Sequence, residues 1–600
     1  MQTINKKFDV NSDAPDLRDR YYEPRLAPLQ PAMDPPGDLT ILDQGNDGAC
    51  TGFGLAAVIN RLYQLQNHPL KVSPWMLYHM ARRYDEWAGE DYSGSSCRGA
   101  IKGWQNSGVC LDELYGNNEA GLLGFEQLED AKSRTIGAYY RIHPQITDMH
   151  SAINETGIIY VSAAVHAGWQ ALVPYKDGQF TIERSDSTIG GHAFAIVGYN
   201  EDGFWVQNSW GEDWGHKGIA LWRYEDWLES VYDAWVIQVA LPTPQIFDRA
   251  RRAGTASAAN PSESAGAPSH SKIWNHFVHF DDGKFHDGGR YWSNESQVFA
   301  IADNMRRHAQ DFDHVLFYAH GGLNSIKASA KRIAAMKDVY LANRIYPFHF
   351  MYDTGLLEEL KDVLMGKFHA AEHIAGSIGG SVIDWFDRRV ENLTRVPGRA
   401  VWREMKRGAT LPFARPEADG AKTLKILTDT INEIGGKKVH VVGHSTGAIL
   451  HGHLLQRIFQ DGMLDKIDTC SLLAPAATYT LFNENYAPLI RDQLLGDIAI
   501  YNLSDDLETG DNVAGVYRKS LLYLVSNAFE DKRHDALLGM KVFNEQQDNA
   551  GVTFHYSHCD ATASKSHGGF DNDPATMNHL LTRVLGQEPA RPFKPADLNY

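Results

Sequence analysis

The chain has 600 residues, 43% of them hydrophobic and 22% charged, with a formal net charge of -18. That length exceeds what one hydrophobic core holds together, so two or more domains are expected. The excess of negative charge disfavours nonspecific binding to nucleic acid and to anionic membrane surfaces, and no apolar run approaches the roughly 18 residues that span a bilayer.

In chain order, residues 1–20 are mostly polar and lack the apolar centre of a signal peptide. The five cysteines, Cys50, Cys97, Cys110, Cys470 and Cys559, are odd in number and scattered. They form no disulfide framework, which points to a reducing, cytoplasmic setting. Glycines at 45 and 48 predict a turn that passes into a helix from Cys50 through Ile59. Strands are predicted over 158–165, 193–199, 203–207, 219–222 and 234–240. Residues 1–250 therefore read as an α+β domain with a helical half and a barrel-like half. Residues 251–272 are rich in Ala, Ser, Gly and Pro and poor in large apolar side chains, the composition of a flexible linker. From 273 to 600, short apolar runs at 315–318, 348–352, 439–442, 470–473, 498–503 and 553–556 alternate with helical stretches, which predicts βαβ units and a mostly parallel sheet. Residues 353–421, with helical stretches at 356–360 and 377–389, read as an insertion, either a cap over a site or a surface decoration.

Two nucleophile constellations stand out. In the first, Cys50 lies where a turn becomes a helix, so backbone amides point at its sulfur and at any oxyanion formed beside it. His192 lies at the edge of the 193–199 strand and can serve as its base. Asn208, at the end of the 203–207 strand, can orient the imidazole, and Gln44 can donate its side-chain amide to the oxyanion. The spacing is specific: His192 lies 142 residues beyond Cys50, and Asn208-Ser209-Trp210-Gly211 begins 16 residues later.

These residues resemble the papain-like cysteine peptidases, whose His and Asn follow the Cys by about 130 to 150 residues. Gly198-Tyr199 and Trp214-Gly215 with Gly218 are also similar to that family, and the likeness covers roughly residues 9–245. The resemblance implies a papain-like fold, a peptide substrate, catalytic roles for Cys50, His192, Asn208 and Gln44, and a binding role for Trp210. Two places depart from the family: Asp47 stands where a second cysteine is common, and Thr51 where a tryptophan is. The long inhibitory propeptide is expected to be absent, so restraint is expected from elsewhere. The other four cysteines read as packing thiols.

In the second constellation, the apolar run 439–442 precedes Gly443-His444-Ser445-Thr446-Gly447, the pattern of a tight strand-to-helix turn that exposes a serine hydroxyl. His320-Gly321-Gly322 follows an earlier strand and, with the amide of Thr446, can supply oxyanion donors. His567 in Ser566-His567-Gly568-Gly569 is the expected base, with His558 as the fallback. Asp511 is the expected acid, with Asp505 and Asp506 as alternatives. The order Ser, acid, His resembles the α/β-hydrolase superfamily over residues 273–590. That likeness implies a parallel sheet flanked by helices and an ester or acyl substrate.

The expected function is a bifunctional hydrolase, a cysteine peptidase joined to a serine esterase or lipase-like domain. Two alternatives stand beside it. One domain could be a noncatalytic interaction or regulatory module, or the cysteine site could transfer its acyl group to an amine. No cofactor and no metal is expected, since His444, His451 and His453 lack the companions of a zinc site. Nothing in the pattern fixes an oligomeric state.

Overall fold

The computed structural model describes residues 7–13, 19–24, 28–85, 94–117, 121–239, 267–321, 325–352, 382–511, 513, 517, 519–547 and 549–600. The chain divides into two compact units: residues 1–272 with 288–290, and residues 273–287 with 291–600. The stretch expected to be a linker lies outside the described residues up to 266, as do residues 353–381 of the expected insertion. Among the described residues no helix is long and apolar enough to cross a membrane.

In the first unit, helices α1 (Cys50–Leu65), α2 (Pro74–Arg83) and α3 (Cys97–Ser107) precede a sheet. Its strands are β1 (Ile136–Arg141), β2 (Ile159–His166), β3 (Val173–Pro174), β4 (Phe180–Ile182), β5 (Thr188–Tyr199), β6 (Gly203–Gln207), β7 (Ile219–Arg223) and β8 (Val231–Val239). They lie in the order β1-β8-β2-β5-β6-β7-β4-β3. The core on this sheet gathers Trp169, Phe194, Phe204, Trp222 and Trp227, all fully buried. Helix α1 packs on both halves because two of its glycines face opposite ways. A Cβ on Gly52 would meet the Pro74 carbonyl oxygen at 2.3 Å, and one on Gly54 would meet the Phe194 nitrogen at 3.1 Å. Two residues are about 200° of helical turn, so one glycine admits α2 and the other admits β5.

Strand β5 begins five residues earlier than its apolar run suggests, so His192 lies inside a strand and not at its edge. Gly190 and Gly191 both lie within β5, Gly190 with a φ of 138°, and their missing side chains make room for other backbone. A Cβ there would meet Phe8 O at 2.3 Å or Val10 O at 1.9 Å.

In the second unit, β9 (Phe277–Asp281) and β10 (Lys284–Phe285) form a hairpin that the sequence reading missed. There follow β11 (His314–Ala319), β12 (Ile345–Tyr352), β13 (Lys438–His444), β14 (Ile467–Leu473), β15 (Leu495–Leu503) and β16 (Val552–Ser557). The order is β10-β9-β12-β11-β13-β14-β15-β16, and every pairing except β10 with β9 is parallel. A parallel sheet needs crossovers that cover its faces, and helices Ile326–Ala342, Asp419–Ile434, Gly447–Gln460 and Pro574–Leu585 alternate with the strands. Of the insertion, residues 382–410 are one helix, which packs against a π-helical turn at Val525–Phe529. The α-helical stretch that leads into that turn is Leu521–Leu524.

Candidate active sites

Cys50 is the first residue of α1 and is fully buried. Burial pushes its thiol up to about 12, while the backbone N–H groups of Ala193, Thr51 and Cys50 itself bond to the sulfur and oppose that rise. The Ala193 amide adjoins His192, so α1 and β5 bring the sulfur to the histidine's own stretch of strand. Thr51 is tied down as well: its hydroxyl meets that of Ser95 at 2.5 Å, and its carbonyl accepts from Tyr160 at 2.8 Å.

The His192 Nε2–H donates to Asn208 Oδ1 at 2.9 Å. The same oxygen accepts from the Ser209 N–H at 2.8 Å, which fixes the amide with its oxygen toward the ring. Trp210 lies tilted against the imidazole with centroids 5.0 Å apart, and Trp169 approaches it edge-on at 6.2 Å. Trp210 is itself buried. Gln44 adjoins the site, but its Nε2 donates to the Asp47 carbonyl at 2.8 Å and its Oε1 accepts from the Ser209 hydroxyl at 2.7 Å. Ser209 thus sets the orientation of the Gln44 amide. The sequence reading quoted Ser209 without a role, although its place beside Asn208 was a usable signal.

Residues 38–227 match the papain family of cysteine proteases. The N-terminal half carries a papain-like cysteine peptidase domain. The chain is 28% identical over 232 residues to an uncharacterised peptidase C1-like protein of Acanthamoeba polyphaga mimivirus, covering 36% of this chain and 74% of that protein. It is 26% identical over 196 residues to a probable cysteine protease of Arabidopsis thaliana, covering 30% of this chain and half of the relative's length. Among solved structures, xylellain, a cysteine protease from Xylella fastidiosa, aligns with 24% identity and a TM-score of 0.35, over 40% of this chain and 97% of that one.

In the second unit, β13 runs into Ser445, whose φ of 53° is left-handed backbone that a non-glycine residue adopts only when its surroundings compel it. The surroundings are two glycines: a Cβ on Gly447 would meet Ala319 O at 2.3 Å, and one on Gly443 would meet Gly447 C at 2.9 Å. The helix Gly447–Gln460 follows at once. The Ser445 hydroxyl meets His567 Nε2 at 3.0 Å. Burial pushes His567 down to about 3, helped by His444 and opposed by Asp571, so its imidazole is neutral and able to take a proton.

Asp511 Oδ2 accepts from the backbone N–H of His567 at 3.0 Å and so holds the histidine loop, not the ring. Among the described residues no acceptor meets His567 Nδ1. Asp505 and Asp506 open the short helix Asp505–Gly510. Asp571, which the sequence reading did not single out, is fully buried four residues beyond His567. It accepts from Arg332 at 2.8 Å, Tyr318 at 3.0 Å and His444 Nδ1 at 3.3 Å. His444 Nε2 in turn donates to the His567 carbonyl at 3.0 Å, so both backbone groups of His567 are held.

The Gly321 carbonyl is turned toward His320 Nδ1 at 2.9 Å, and Gly322 lies outside the described residues. Thr446 is buried with its hydroxyl 2.8 Å from Tyr352. All five cysteines are free. Four are buried, but Cys559 is exposed, which corrects its reading as a packing thiol. Among the described residues no three His, Cys, Asp or Glu side chains gather as a metal-ligand set.

Proposed function

We propose that the protein is a two-headed hydrolase, with a peptidase in the first unit and a serine hydrolase of the α/β-hydrolase type in the second. For the peptidase, the observation that carries the reading is the thiol at the start of α1 beside a histidine oriented through Nε2 by Asn208. His192 takes the Cys50 proton through its other nitrogen. The thiolate attacks a peptide carbonyl, and the Cys50 amide and Gln44 receive the oxyanion. His192 then protonates the leaving amine, and water hydrolyses the thioester.

For the serine unit, the supporting observation is the Ser445–His567 contact of 3.0 Å at a strained turn. The nucleophile follows β13, Asp511 lies beyond β15 and the histidine follows β16, which is the chain order of that superfamily. His567 accepts the Ser445 proton, and the hydroxyl attacks an ester or acyl carbonyl. A second reading, in which this unit binds an acyl ligand without turning it over, is favoured by the unmet Nδ1 of His567. The five free cysteines suit a reducing compartment, and we place the protein in the cytoplasm.

Labelling of the intact chain with a thiol-directed electrophile and a fluorophosphonate separates these readings. Marks on both Cys50 and Ser445 support two catalytic heads. A fluorophosphonate that leaves Ser445 unmarked while Cys50 reacts makes the second unit a binding module.

A further inference from the structure

Three strand ends meet beside the serine. Strands β12, β11 and β13 lie side by side in parallel, with Ala319 opposite both Phe350 and Gly443. The residues just beyond that level therefore share one edge of the sheet: Tyr352 on β12, His320-Gly321 after β11 and Ser445-Thr446 after β13. Tyr352 is buried, and its hydroxyl lies 2.7 Å from His320 O and 2.8 Å from Thr446 Oγ1. Its ring stacks on the His320 imidazole, with centroids 4.7 Å apart and planes 8° apart.

The directions of these bonds follow from what each atom can do. A carbonyl oxygen only accepts, so the Tyr352 O–H donates to His320 O, and the Thr446 O–H donates in turn to the Tyr352 oxygen. Burial pushes the Tyr352 hydroxyl above its ordinary range despite the Thr446 bond, which keeps its proton in place. Burial also pushes His320 down to about 3, so its ring is neutral and carries its hydrogen on Nδ1, toward Gly321 O. The peptide between His320 and Gly321 is trans, with its N–H directed opposite its C=O. Anchoring His320 O thus sets the direction of the Gly321 N–H.

On the other side, the Ser445 N–H donates to Leu473 O at 2.8 Å, and Ser445 O accepts from the Ala448 and Ala476 N–H groups, each at 3.1 Å. Among the described residues no acceptor meets the Thr446 N–H, which stands at the N-terminus of the helix Gly447–Gln460, where negative charge is favoured.

We propose that Tyr352 is a positioning residue of the serine head: its one hydroxyl ties the turn after β11 to the turn after β13 and holds the amides of Gly321 and Thr446 at the spacing a single oxyanion requires. The inference rests on the serine-hydrolase reading of Ser445. Without that hydroxyl the two turns lose their common anchor while the ring packing stays. The loss falls on the transition state, where charge develops on the oxyanion, and spares ground-state binding.

The test is the rate at which a fluorophosphonate marks Ser445 in the full chain, measured against probe concentration so that binding and bond formation separate. In the marking step Ser445 Oγ bonds to phosphorus, its proton passes to His567 and fluoride leaves. Tyr352→Phe removes only the hydroxyl. Its maximal rate is expected to fall about ten- to hundredfold, with the half-saturating concentration within about threefold of the parent's. Thr446→Val cuts the same tie from the other side, and the double variant should stay within about threefold of the slower single one. A folded Tyr352→Phe chain with the parent's maximal rate, or a loss carried by the half-saturating concentration, overturns the proposal. Losses that multiply in the double variant overturn it too, because independent effects mean no shared tie. Should melting curves show Tyr352→Phe unfolded, Thr446→Val decides alone: a slowed maximal rate supports the tie and a parental one overturns it. A parent chain unmarked at Ser445 removes the serine-hydrolase reading and the assignment with it, whereas a marked parent leaves that reading standing whatever the variants do.

Discussion

Replacing Asn208 with alanine tests how far the peptidase depends on one buried acceptor. His192 is fully buried beneath Trp210, so no water replaces Asn208 Oδ1 when it is removed. An orphaned buried donor costs about 1–3 kcal/mol, and the loss lies toward the upper end when the ring is an imidazolium, as it is when the thiolate attacks. The Ser209 N–H loses the same acceptor, and Ser209 holds the Gln44 amide, so the oxyanion side loosens with the base. At about 1.4 kcal/mol per decade this amounts to a roughly ten- to hundredfold fall in kcat/KM, carried by kcat. The assay is hydrolysis of a fluorogenic peptide library by the full chain, with melting curves to confirm folding. Asn208→Asp, which keeps an acceptor, should stay within about tenfold of the parent. A folded Asn208→Ala enzyme that retains full kcat/KM would refute the assignment of Asn208 as the orienting group.

Ser445→Ala should abolish fluorophosphonate labelling and leave thiol labelling of Cys50 unchanged, as read by gel fluorescence and peptide mapping. Asp571→Ala leaves Arg332 buried and unpaired, and a loss of about 3–5 kcal/mol of stability is expected in denaturant titration. Asp511→Ala removes one bond to the His567 backbone, so fluorophosphonate labelling should slow with a stability loss of only about 1 kcal/mol. Burial pushes the Glu508 carboxyl, bonded to Ser520, up to about 8. The folded state thus binds a proton that the unfolded chain releases near 4.5. Stability of the second unit should fall as pH rises between those values, by on the order of a few kcal/mol, and Glu508→Gln should flatten the slope in denaturant titrations.

Much of the framework was legible because its signals are local. The apolar run before Gly443 and the small residues on either side of Ser445 describe a strand and a tight turn without help from elsewhere. The 142-residue step from Cys50 to His192 likewise followed from motif spacing. What escaped depends on distant partners. His192 was expected at a strand edge because nothing near Gly190 and Gly191 announces that Phe8 and Val10 will occupy the space of their side chains. Residues 8–13 carry no periodicity, so their pairing with β5 at Gly191 was invisible. Asp571 sits in a loop without a motif, and its importance emerges only when Arg332, Tyr318 and His444 converge on it. Asp511 lies near His567 but is bonded to its main chain, a distinction that spacing does not encode.

Gly52 and Gly54 give α1 the character of a dowel driven through two boards. A methyl group on either would pry one board away, and the sulfur at the dowel's tip would shift with it. The peptidase head therefore tolerates drift of neither half alone, and its two lobes must change in step if the reacting atoms are to keep their aim.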